Sequence, residues 1–417
     1  MKTEKILAIL CGIYLFFLST TISTAGYSIS CALLIICLLW SYFKYKRKWV
    51  LPNRTFCILY TIFFLSLFIA AIGIGDKKAF FATVRYFYLS LPFWILYSVF
   101  LNIQVSIKRF WCVAVFLAAI IPAAYGFYQF FTFPAGARID SFTAHPNTFA
   151  TILSFLIPFM LAITSDKALF EGADKRLQTV YQGILFFCIF FVTMVMLTGQ
   201  SRGAIAGFIL GGSVIVLCRW RLRAKKNLVS FKIIGTGIAI IVLISGALFA
   251  FMTTFGGRSY DNERILLAKS SYHMWSDHKV FGVGFDNWKK EYQTKYILPE
   301  AKEPNLAMSH NTITGFYSMT GIVGGTGYMI FSIGIFIFLL KRIWQYPENP
   351  YLQAMLWAYI VVFVEGMVNA GIKDKFVMRM LFGYLGFTLA LIHQEVMKRK
   401  GMIQNDEIVK LCEKQDM

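Results

Sequence analysis

The chain has 417 residues, a formal net charge of +20 and a mean hydropathy of +0.62, with 58% of residues hydrophobic and 15% charged. A soluble domain carries nearer a quarter charged residues, so this balance excludes an ordinary soluble protein. Repeated apolar runs of about 20 residues point to an all-α polytopic membrane protein, whose positive charge answers anionic lipid and not nucleic acid.

About twelve runs read as transmembrane helices: roughly 6–24, 28–43, 55–73, 80–101, 110–131, 147–164, 181–198, 202–218, 232–253, 311–340, 351–369 and 379–396. The run at 311–340 is too long for one straight crossing; it is expected to begin outside the membrane or to break at Gly321, Gly324, Gly325 and Gly327. Ser23-Thr24-Ala25 resembles a signal-peptidase site, but an uncleaved first helix is the expectation. The eight cysteines fall in apolar segments, apart from Cys412 in the tail and Cys218 at a helix end, so neither a disulfide framework nor a C-x-x-C metal pattern is read.

Sidedness follows from the loops. Lys44, Lys46, Arg47, Lys48 and Arg54 lie on the same side as Arg219, Arg221, Arg223, Lys225, Lys226, Lys232, Lys341 and Arg342. With that side as cytoplasm, the long polar segment 255–310 faces outward, with Asp76, Arg138, Arg202 and Lys373.

Basic residues on the outer face run against the positive-inside trend, and each has two readings. Arg202 opens a helix after the tight turn Gly199-Gln200-Ser201. It is either a snorkelling or lipid-phosphate contact, or part of an anion site with the free N–H groups of the helix start. Gly203, Gly207 and Gly211 recur every fourth residue, which reads as close helix packing. In Asp261-Asn262-Glu263-Arg264, the arginine is either an exposed ion pair with Asp261 or Glu263, or a second anion contact; the two acids could also bind a divalent ion. Ile265, Ala268, Tyr272 and Trp275 then share a face of an amphipathic surface helix. Trp288, Tyr292 and Tyr296, spaced i, i+4, i+8, read as an interfacial aromatic belt, with sugar stacking as the alternative.

His310, in Ser309-His310-Asn311, stands at the start of an apolar helix. A helix N-terminus disfavours the imidazolium, which would keep His310 neutral and able to accept a proton; a polar cap at the interface is the alternative. His145 is a weaker candidate, and His393 lies on the wrong side. Arg85, near the outer end of the fourth run, and Arg138, in the fifth loop, are read as further lipid-phosphate contacts.

Taken in order, Ser201-Arg202-Gly203-Ala204, Glu263-Arg264, Gly282-Val283-Gly284-Phe285-Asp286-Asn287-Trp288, Ser309-His310-Asn311-Thr312 and Gly321-Ile322-Val323-Gly324-Gly325 resemble the bacterial O-antigen ligase and polymerase family. The resemblance is specific from about Leu197 to Ile330. It divides the chain into N-terminal helices (1–130), a catalytic region (131–340) with an extracytoplasmic loop at 254–310, C-terminal helices (341–396) and a cytoplasmic tail (397–417).

That resemblance implies a membrane-embedded C-type glycosyltransferase-like fold and an active site on the outer face of the bacterial cytoplasmic membrane. It implies transfer of a glycan from an undecaprenyl-diphosphate carrier to lipid A–core, or to a growing glycan chain in the polymerases. The reaction would be metal-independent and inverting, with no cofactor. Arg202, Arg264 and His310 match the family's essential basic residues, and Arg85 and Arg138 would support the diphosphate. One dominant outer loop favours a ligase over a polymerase. A twelve-helix transporter would explain the span count, but its Gly-x-x-x-Asp-Arg-x-Gly-Arg-like signature is missing from Phe43-Lys44-Tyr45-Lys46-Arg47-Lys48-Trp49.

Overall fold

Short polar residues set where the apolar runs become helices. In the computed structural model of the chain, side-chain oxygens of Ser23, Asn53, Asp76, Asn311 and Asn349 each accept a backbone N–H of the turn that follows. This satisfies donors that a helix leaves open at its start. The structure describes all residues except 1, 47–48, 103–105, 135, 144, 167–168, 170–173, 224–259, 307, 370 and 400–417.

The helices are α1 (Lys2–Ser19), α2 (Thr24–Lys44), α3 (Arg54–Ile74), α4 (Lys77–Tyr88), α5 (Leu91–Asn102), α6 (Ser106–Thr132), α7 (Pro146–Ser165), α8 (Lys175–Thr198), α9 (Arg202–Arg223), α10 (Tyr260–Asp277), α11 (Thr312–Gln345), α12 (Pro350–Gly366) and α13 (Lys375–Arg399), with short turns at 288–296 and 371–373. Among the described residues nine helical stretches, α4 and α5 taken as one, are long and apolar enough to cross a membrane. Two shorter apolar helices, Lys5–Ser19 and Pro350–Gly366, accompany them. The protein is a polytopic, all-α membrane protein. The run expected at 232–253 lies outside the described residues.

The connectors gather at two ends. At one, Arg138 meets Gly199, His310 meets Asn369, and Thr148 donates to Asp374. At the other, Tyr97 meets His393, Tyr351 donates to Asp166, and Asn349 donates to Glu395. The alternation read from the loop charges agrees with this grouping. The first boundary differs from expectation. The chain leaves α1 at Ser19, and the Ser23 hydroxyl accepts the Gly26 N–H at 2.9 Å, so the residues that resembled a cleavage site cap α2.

The expected break in the long helix occurs at Gly321, with φ 62° and ψ −162°. The segment 279–284 docks into it. Val283 and Gly284 donate to the carbonyls of Ser318 and Met319 at 3.0 and 2.8 Å, while Ile322 and Val323 donate to those of Lys279 and Val280 at 2.8 and 3.3 Å. Backbone groups freed by the break therefore find partners within the chain, as an apolar environment requires. Glycine is needed on both sides. A Cβ on Gly282 would stand 2.4 Å from the Met319 carbonyl carbon, and one on Gly321 would stand 2.2 Å from the Val280 oxygen.

The recurrent glycines of α9 do pack closely against α12. A Cβ on Gly207 would lie 2.9 Å from Val361 Cα, and one on Gly211 would lie 2.4 Å from the Trp357 ring. The aromatic belt expected at 288–296 is a correction. Trp288, Tyr292 and Tyr296 are buried, with Trp288 stacked on Tyr292 and donating to Ser271 Oγ at 3.3 Å. They belong to the same buried core as Leu267 and Met274 of α10. The opposite face of α10 carries the expected exposed apolar residues, Ile265 and Tyr272.

Two glycines separate strain from collision. Gly75 also has a positive φ, 73°, but no atom stands within 4 Å of its Cβ position. Gly75→Ala should lose about 1–2 kcal/mol. Gly321→Ala should lose a further 1–3 kcal/mol or so from overpacking. Thermal melts in detergent will rank the two; equal losses would mean that 279–284 does not fill the break.

Candidate functional site

Arg202 is set by the turn before it. Gln200 takes a left-handed φ of 48°, and buried Ser201 begins the helix by accepting the Ile205 N–H through its carbonyl at 3.0 Å. Arg138 holds this turn from the neighbouring connector. Its Nε and Nη2 donate to the Gly199 carbonyl at 3.2 and 3.1 Å, and Nη2 also donates to Asn147 Oδ1. Gly203 then lets α12's end come close: a Cβ there would lie 2.4 Å from Val368 Cγ2 and 3.3 Å from Glu365 Cα.

Arg264 reaches the same place from the first turn of α10. Its neighbour Glu263 turns inward, buried, and Oε1 accepts the Lys302 N–H at 2.9 Å. Arg202 and Arg264 line one cleft with Asn147, Gln200, Ser201, Gly203, Val368 and Asn369. Its cavity volume is about 10 Å³, so the lining residues stand close together and the cleft is shallow.

His310 stands behind Asn369, with Nδ1 3.1 Å from Asn369 Oδ1. Its own φ is 47°, a left-handed conformation uncommon outside glycine that concentrates at functional sites. Burial pushes the His310 imidazole below its ordinary range, opposed by the Asn369 contact, while the charges of Arg264, Lys373 and His145 push it lower still. The direction matches expectation, but the leading cause is burial and not the helix terminus. Lys373 flanks the same loop. Its Nζ donates to Ser309 Oγ at 2.9 Å and to the Asn311 carbonyl at 3.3 Å, in space left by Gly315. Burial pulls this lysine down to about 7.

The remaining predicted residues divide. Arg138 is at the site but behind it, bound to the turn and to Asn147. Arg85 is elsewhere: it ion-pairs with Asp286 at an exposed position, 71% accessible, and does not line the cleft. Lys78 donates to the Asp286 carbonyl and Asn287 donates to Asp76, so α4 clamps the 282–288 run at the same place. Sequence reasoning missed Asn147, Asn369 and Glu365. Glu365 had a signal, as the one charged residue in the run 351–369.

Residues 186–329 match the model of the O-antigen ligase family. This stretch is an O-antigen ligase domain. It contains Arg202, Arg264 and His310, and makes the protein a membrane glycan-transfer enzyme of the O-antigen ligase and polymerase type, acting on lipid-linked glycans. The family belongs to polysaccharide assembly at the bacterial inner membrane. No curated protein matches the chain. Arg138, Asn147, Glu365, Asn369 and Lys373 lie outside the matched residues, so the flanking helices complete the cleft that the ligase domain begins.

Lys373→Met removes a cation that disfavours the imidazolium, so His310 should titrate at higher pH than in the wild type. Lys373, at about 7, is charged where His310 takes up its proton, so the sign is fixed. An NMR titration of the histidine ring protons measures the shift; an unchanged midpoint would remove Lys373 from the electrostatics of the site.

Proposed function

We propose that the protein transfers a glycan from an undecaprenyl-diphosphate carrier to lipid A–core on the outer face of the bacterial cytoplasmic membrane. The transfer is metal-independent and inverting, and the bundle of about twelve helices has the membrane-embedded C-type architecture. One observation carries this reading: Arg202 and Arg264 line a single cleft whose wall, Asn369, contacts His310. The cleft lies among connectors at one end of the bundle, whereas a transporter binds its substrate near the membrane midplane.

The chemistry follows from charge. As the glycosidic bond to phosphate breaks, negative charge builds on the departing diphosphate. Two guanidiniums fixed beforehand in a small cleft stabilise that charge where it develops, and their planar donors suit phosphate oxygens. Neutral His310 takes the proton of the attacking hydroxyl. Attack from the face opposite the diphosphate inverts the anomeric carbon. Arg138 serves the diphosphate indirectly, by holding the turn before Arg202, and Arg85 serves the mounting of the 282–288 run. The sugars and the polyprenyl chain extend from the cleft, the chain lying between helices.

The test is transfer in vitro with purified protein in lipid, undecaprenyl-diphosphate glycan, lipid A–core and EDTA. Arg202→Ala, Arg264→Ala and His310→Asn are run beside the wild type, asparagine being tolerant of the left-handed backbone. Capped lipid A–core from the wild type, with each variant reduced by about 100-fold or more, is the expected result. Longer carrier-linked glycan without capping would make the enzyme a polymerase, and dependence on added metal would overturn the mechanism.

A further inference from the structure

Glu365 is buried at the end of α12, four residues before Asn369 of the cleft wall. Both of its oxygens are engaged. Oε2 accepts the Gly371 backbone N–H at 3.0 Å, and Oε1 accepts from Asn369 Nδ2 at 2.7 Å. A backbone N–H can only donate, so the Oε2 contact has a fixed sense. With Glu365 ionised, both of its oxygens can only accept, so the Asn369 amide gives Nδ2 to Oε1 and turns Oδ1 the other way. That oxygen is the atom 3.1 Å from His310 Nδ1. An amide oxygen can only accept, so Nδ1 must carry the hydrogen.

We propose that Glu365 and Asn369 are positioning residues that fix neutral His310 as its Nδ1–H tautomer and leave Nε2 as the atom that takes the acceptor's proton. This rests on the proposed role of His310 as base. In that step the acceptor O–H gives its proton to Nε2, the oxygen bonds to the anomeric carbon, and the bond from that carbon to the phosphate oxygen breaks. The electron pair leaves with the diphosphate, and the imidazolium later returns its proton to water. The opposite tautomer would present an N–H to the acceptor hydroxyl and could not remove its proton. Glu365 thus acts on the reaction through orientation of a proton, without touching substrate, while Asn369 stands in the cleft wall between it and His310.

The relay makes a sharp prediction at a residue that does not contact the histidine. In Glu365→Gln the side-chain oxygen must still meet the Gly371 N–H, which turns the new NH₂ toward Asn369. Asn369 then reverses, offers Nδ2 to His310, and inverts the tautomer. The measurement is ¹⁵N NMR of full-length protein labelled at histidine, in lipid nanodiscs, with the His310 signals assigned by His310→Asn. Wild type should show a protonated Nδ1 and an unprotonated Nε2, and Glu365→Gln should show the reverse. Its kcat for transfer should fall about 100-fold with KM little changed.

A wild-type spectrum with the hydrogen on Nε2 would overturn the relay whether or not Glu365→Gln folds. So would an unchanged tautomer in a folded Glu365→Gln protein. Inversion of the tautomer with full activity would support the relay as a hydrogen-bond chain and sink the role of His310 as base, so the two ideas fail separately.

Discussion

The break in α11 at Gly321 is the constraint on which the rest of the molecule is built. An unpaired backbone amide or carbonyl in hydrocarbon costs several kcal/mol, so an interrupted helix there needs a dedicated partner. The segment 279–284 supplies it by backbone alone, taking the carbonyls of Ser318 and Met319 and giving its own to Ile322 and Val323. That fixes one strip of the long polar insert against the bundle. The Phe281 ring lies over Gly73 of α3, and Phe285 stacks on Tyr86 of α4 with ring centres 5.2 Å apart. Arg264, upstream of the docked strip, and His310, downstream of it, inherit their positions from this attachment.

A second close approach completes the geometry. The glycine face of α9 lets α12 come near enough for Val368 and Asn369 to wall the cleft beside Arg202. The cleft therefore draws on α7, α9, α10 and the stretch after α12, while the ligase domain proper supplies the arginines and the histidine. Groups outside that domain hold the adjoining backbone and the histidine: Arg138 bonds the Gly199 carbonyl before Arg202, Asn369 contacts His310, and Lys373 bonds Ser309 and Asn311 on either side of it.

Much of this was legible in the sequence, for a physical reason. In a chain this apolar, Arg202, Arg264 and His310 stand out because charge and polarity at helix starts are costly without a purpose. The glycines of α9 and α11 were legible for the same kind of reason, since little else allows backbones to touch. The aromatic residues were not. The spacing of Trp288, Tyr292 and Tyr296 says that they share a face, but not whether that face meets lipid or protein; only the fold of 260–306 over it decides. Arg85 and Arg138 looked alike in sequence. They differ because Asp286 lies 201 positions away from one and Gly199 lies 61 away from the other, and pairings at that range are set by tertiary structure. Glu365 was readable as a lone charge in an apolar run. Asn369 was not, because a polar residue at the end of a span is ordinary until its partners are known.

The supports of His310 lie late in the chain, and synthesis runs from the other end. Segments of a protein generally organise as they emerge, the N-terminal ones first. By the time α10 and α11 are in place, both arginines and the histidine have been made, yet Glu365, Asn369 and Lys373 have not. A growing chain at that stage holds Arg202 and Arg264 without the Val368 and Asn369 wall of their cleft and without the contact of Asn369 to His310. The cleft is complete only once the turn between α12 and α13 has been made.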